Sequence, residues 1–146
     1  MIETLLTKPY WVIDVLPKQV PGDSAGQFFA VEKYWLEMPQ YSDLRHRFAA
    51  ILLKLNCYYN LQVCFAEEDE LHTNPSPDQL VSWVTESGKD LCIVIPAQKT
   101  LITIAPDDLC MTVYNPRKRF LQLLEQLALS EGLFVWQPPQ EGSEGK

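Results

Sequence analysis

The sequence is poor in the residues that most catalytic and metal sites are built from. It has only two histidines, and its four cysteines (Cys57, Cys64, Cys92 and Cys110) form no CxxC pair. Structural zinc and dithiol redox sites need three or four converging ligands or a closely spaced thiol pair, so neither is expected. Cys64, Cys92 and Cys110 lie inside apolar runs and read as reduced core residues. Basic residues are also scarce: 12 Lys and Arg stand against 19 Asp and Glu, a net charge of −7. Phosphate recognition depends on clustered cations, so this balance argues against a dedicated nucleic-acid binder and against docking on an anionic membrane. No apolar run approaches the roughly 18 residues of a membrane span. Residues 1–9 carry Glu3 and lack the basic start and apolar stretch of a secretory signal. A cytoplasmic protein with neither nucleic acid nor membrane among its partners is expected.

What the chain does contain is a foldable pattern. With 146 residues and 47% apolar composition it can bury roughly 70% of its unfolded surface as one domain, without a cofactor or metal. Tyr10–Leu16 is rich in aromatic and β-branched residues and reads as a strand ending at Pro17. A helix capped by Asp23 or Ser24 is expected to run to Met38, with Phe28, Val31, Trp35 and Met38 facing inward. Ser42 is read as the cap of the next helix, whose stripe of Leu44, Phe48, Ile51, Leu52 and Leu55 is the strongest helical signal in the chain. Asp43 and Arg47 are spaced to pair on its wet face.

Leu61–Ala66 reads as a strand. Ser76-Pro77-Asp78-Gln79 then combines a capping box with proline at the first helical position, and Gly88 supplies the stop. Leu91–Ile95, Leu101–Ile104 and Leu109–Tyr114 are strands with short links, hence a β-meander over about residues 91–114. Asn115-Pro116 repeats the cap-plus-proline device before a last helix, and Leu133–Trp136 is a final strand. The order β-α-α-β-α-β-β-β-α-β implies an α+β class: one domain over residues 1–137 and a polar flexible tail over 138–146.

Gly22-Asp23-Ser24-Ala25-Gly26 is similar to the GxSxG nucleophile elbow of the α/β-hydrolase esterases. That resemblance would make Ser24 a nucleophile. In that family an acid and then a late histidine follow the serine, whereas here the histidines are His46 and His72. Pro17 and Pro21 separate the loop from its strand, which denies it a sharp turn. A glycine-rich lead into a helix cap accounts for the same residues, so no catalytic residue is assigned.

Cys64 with His72 is a second nucleophile candidate, but activation needs a nearby cation and the neighbours are Glu67, Glu68, Asp69 and Glu70. That acidic run lacks the spacing of a calcium loop and reads as a solvated segment whose four carboxylates are interaction candidates. Arg117, Lys118 and Arg119 open the last helix, where the dipole favours negative charge. They mark a candidate anion-binding site, unless Glu67, Asp69 and Glu70, the Asp107-Asp108 pair or solvent offsets them. Adjacent aromatics cannot both face inward, so one member of Tyr34-Trp35 and one of Tyr58-Tyr59 is expected outside; Tyr34 and Tyr59 are taken as interaction candidates. The functional expectation is a small acidic protein-interaction domain, of a binding, immunity or regulatory character, acting on another protein or on itself. The alternative is a small enzyme or anion-binding domain built on Ser24 or the basic triplet.

Overall fold

The computed structural model describes residues 1–23, 26–38 and 40–139, with the side chains of 40–42 outside that description. The elements, in chain order, are α1 (Ile2–Leu5), β1 (Tyr10–Asp14), α2 (Gln27–Glu37), α3 (Gln40–Asn56), β2 (Gln62–Phe65) and β3 (His72–Thr73). They continue with α4 (Pro77–Glu86), β4 (Leu91–Ile95), β5 (Thr100–Ile104), β6 (Cys110–Tyr114), α5 (Lys118–Ser130) and β7 (Phe134–Trp136). The strands form one seven-stranded sheet in the order β3-β2-β4-β5-β6-β1-β7, every pairing antiparallel. The expected α+β class and the β4-β5-β6 meander are both present. The segment 140–146, and with it most of the expected tail, lies outside the described residues.

Alternation along the strands decides what each face carries. Ile93 and Ile95 of β4, Ile102 and Ile104 of β5, and Met111 and Val113 of β6 point to one face. There they meet Phe48, Ile51, Leu52 and Leu55 of α3, Leu80 and Val84 of α4, and Phe120 and Leu124 of α5 in the main core. The opposite face is covered more thinly: Leu5 of α1 packs with Val94 and Leu101, flanked by Ile2, Cys92 and Tyr114.

The local punctuation holds at several ends. Ser76 accepts from the Gln79 backbone while the Gln79 side chain accepts from the Ser76 N–H, a complete capping box for α4. Gly88 and Gly132 adopt φ values of +64° and +74° just past the ends of α4 and α5, a conformation that a Cβ disfavours. Three caps differ from the sequence expectation. α2 starts at Gly26 (φ +81°) without a side-chain cap, so Asp23 does not serve, and Ser24 lies outside the described residues. α3 begins at Gln40, two residues before the expected Ser42 cap. Asn115 is not a helix cap either. It is in the left-handed region (φ +64°) and its side chain donates to the Lys99 carbonyl at 2.9 Å, which leaves Arg117 in the cap position of α5.

Candidate interaction surfaces

α2 is the least buried of the long helices: none of its eleven residues is buried. Trp35 and Leu36 lie against the edge of the main core, yet Phe29 is 68% exposed and Tyr34 59% exposed. The inward stripe expected from Phe28, Val31, Trp35 and Met38 is therefore only half covered. Phe28, Val31 and Trp35 instead line, with Leu16, Val20 and Pro21, a shallow apolar groove of about 270 Å³ between the helix and the preceding loop. The Phe28 and Phe29 rings pack edge-on at 5.7 Å, extending the aromatic surface outward. Exposed, contiguous aromatic surface of this kind marks interaction sites on soluble domains.

Of the two adjacent tyrosines after α3, Tyr58 is the exposed member. Tyr59, the expected interaction residue, packs on Phe120 with ring centroids 5.6 Å apart, because it follows the end of α3 directly onto α5. Tyr34 is outside, as expected.

The basic and acidic segments stand at opposite ends of the sheet. Glu67, Glu68, Asp69 and Glu70 are exposed and follow the end of β2, whereas Arg117, Lys118 and Arg119 follow the end of β6, which runs the other way. Asp107 and Asp108 precede β6 and share the acidic end. Neither acidic group therefore compensates the triplet, contrary to one of the two expectations for it. Among the described residues no carboxylate lies within ion-pair distance of these three cations. The Asn115–Lys99 bond brings the Lys99 backbone beside the same helix start.

The remaining nucleophile candidates are not assembled. Val63 and His72 are direct cross-strand partners, so His72 shares the core face, where its ring packs at a tilt against Trp83 with centroids 5.1 Å apart. Cys64, one residue along, points to the other face and stands opposite Cys92. No Cys64–His72 dyad exists. Burial pushes the Cys64 thiol up, and burial together with the neighbouring Cys64 pushes Cys92 up to about 11. Among the described residues no group of three His, Cys, Asp or Glu side chains is arranged to hold a metal ion, and no helix is long and apolar enough to cross a membrane.

Arg45 was missed by sequence reasoning. It is only 4% exposed, and Nε donates to the Val84 carbonyl at 2.9 Å while Nη1 donates to the Ala105 carbonyl at 2.8 Å. Its spacing to Phe48 and Leu52 (i+3, i+7) was the available signal, since it puts Arg45 on the buried stripe of α3. No family model, no curated protein and no solved structure matches the chain.

Proposed function

We propose that this chain is a non-catalytic, cytoplasmic protein-interaction domain that docks a protein partner across the exposed side of α2, with Phe29 and Tyr34 on its two flanks as anchors. The observation that carries this reading is a helix of eleven residues with none buried and two large aromatics turned to solvent. Leaving such surface in water forfeits about 25 cal/mol per Å² of apolar area, which a partner recovers. The net charge of −7 favours a basic partner through long-range steering. The exposed acidic segment Glu67–Glu70 strengthens that steering without belonging to the α2 face.

The test is photocrosslinking in the native host with a photoreactive residue at position 34, and at position 126 on the exposed side of α5 as control. One protein crosslinked at 34 and absent at 126, with a yield reduced about tenfold by Phe29→Asp, is expected. No adduct at 34, or the same adducts at both positions, would end this reading.

A second reading is favoured by the topology. Arg117, Lys118 and Arg119 have no carboxylate partner among the described residues, and both acidic groups stand at the far end of the sheet. Helix N-terminal amides and guanidinium groups together suit a phosphate or carboxylate. Thermal stabilisation by millimolar phosphate, lost in the Arg117→Ala/Arg119→Ala double variant, is the expected result; equal stabilisation of both proteins would refute it.

A further inference from the structure

At the end of the sheet where β1 stops and β6 begins, a half-open cavity of about 320 Å³ lies between α2 and α3. Its floor is apolar: Val15, Leu44, Leu109 and Leu133, roofed on one side by the indole of Trp35. Its rim is polar and carries both charges. Asp43 and Arg47 face each other there, with Nε of Arg47 3.0 Å from a carboxylate oxygen of Asp43. Gly132 completes the rim, and a Cβ at that position would stand 3.2 Å from Arg47 Nη1, so the glycine leaves the guanidinium its room.

The rim pair retains binding capacity. A guanidinium has five N–H donors and a carboxylate about four acceptor positions. Arg47 uses Nε toward Asp43 and one Nη1 hydrogen toward the Glu131 carbonyl at 3.3 Å. A ligand carrying an ammonium and a carboxylate on one carbon can address both charges without breaking their mutual contact. An apolar side chain on that carbon would then enter the floor. The volume is at the small end of ligand cavities, which suits one amino-acid-sized molecule rather than a nucleotide or extended cofactor.

We infer that this cavity binds a free apolar α-amino acid of the leucine or phenylalanine class, with its carboxylate on Arg47, its ammonium on Asp43 and its side chain against Trp35, Leu44 and Leu133. The cavity shares Trp35 with the α2 groove but not the anchors Phe29 and Tyr34, which do not line it, so leucine binding and partner docking are read by different residues.

The test titrates the full chain with L-leucine, glycine, 3-methylbutylamine and 4-methylpentanoate by calorimetry. The indole N–H signal of Trp35, assigned with Trp35→Phe, is followed by NMR. Leucine is expected to bind with a millimolar or tighter Kd and to shift the Trp35 signal. The amine, the acid and glycine should each bind at least about tenfold more weakly, because each leaves one part of the site unmatched. Arg47→Gln should erase the preference for leucine over the amine, and Asp43→Asn its preference over the acid. Both side chains are substantially solvent-exposed, and unchanged melting of the variants without ligand verifies their folding. The inference is overturned if leucine gives no heat and no Trp35 shift at about 10 mM, if the analogues or glycine bind as well as leucine, or if both variants bind leucine like the parent chain.

Discussion

Arg45 Nη1 donates to the carbonyl of Ala105 at 2.8 Å, across sixty residues of sequence, while Nε of the same guanidinium holds the Val84 carbonyl. One buried cation thus ties the start of α3 to the end of α4 and to the turn between β5 and β6. It also offsets part of the rise that burial and neighbouring Asp90 impose on the Asp108 carboxyl. Removing it strands two carbonyls at once. Arg45→Ala is expected to destabilise the fold by about 3 kcal/mol, and Arg45→Lys to recover only part of this, since an ammonium lacks the planar fork. Urea unfolding of the two variants checks this; a loss below about 1 kcal/mol for the alanine variant would contradict it.

Asp14 gives a pH-dependent prediction. Burial raises its carboxyl above the ordinary 3.8, against the pull of the Val15 and Leu16 backbone N–H groups. The folded chain therefore holds this proton more tightly than the unfolded chain. The associated stability is present below pH 3.8 and is lost as pH rises through the folded value. Asp14→Asn should melt higher than the parent near pH 7, and the difference should vanish below pH 3.8. Parallel profiles across this range would show that burial of Asp14 does not control the effect.

Thiol reactivity should separate the four cysteines. Cys57 is exposed, whereas burial lifts Cys64 and carries Cys92 to about 11 and Cys110 to about 12, the latter aided by the charge of its register partner Asp14. Iodoacetamide at about pH 8 should label Cys57 alone in the native protein and all four cysteines in urea, because the thiolate is the reacting species. Peptide mass spectrometry reads the sites. Native labelling of Cys110 as fast as Cys57 would show that the sheet face is open.

Two substitutions rank the cap against the core. Ser76→Ala removes the capping oxygen of α4 and should cost about 1 kcal/mol. Phe120→Ala empties a fully buried site between α5 and the sheet and should cost about 3–5 kcal/mol. Denaturant midpoints at unchanged m-value measure both, and a larger loss for Ser76→Ala would reverse the assignment of where the stability resides.

The periodic and local features were legible in the residues themselves. The stripe Leu44-Phe48-Ile51-Leu52-Leu55, the Ser76 capping box, the three-strand meander and the left-handed glycine at 88 need only neighbours within a few positions, so the chain announces them. The same holds for the Asp43–Arg47 pair and for exposed Tyr34.

Other features depend on what arrives from elsewhere in the chain. Asn115 looks like a helix cap until the Lys99 turn offers it a carbonyl sixteen residues away. The acidic neighbours already argued against a Cys64–His72 dyad, but only strand pairing shows that the two side chains are on opposite faces. Spacing puts Arg45 on the buried stripe of α3, but its carbonyl partners come from α4 and the β5–β6 turn. The basic triplet looks compensable until the direction of β6 carries it away from every acidic cluster that local sequence suggested. Secondary structure follows from short-range sterics and capping. Burial, pairing and charge neighbourhood follow from strand order and direction, which no local segment encodes.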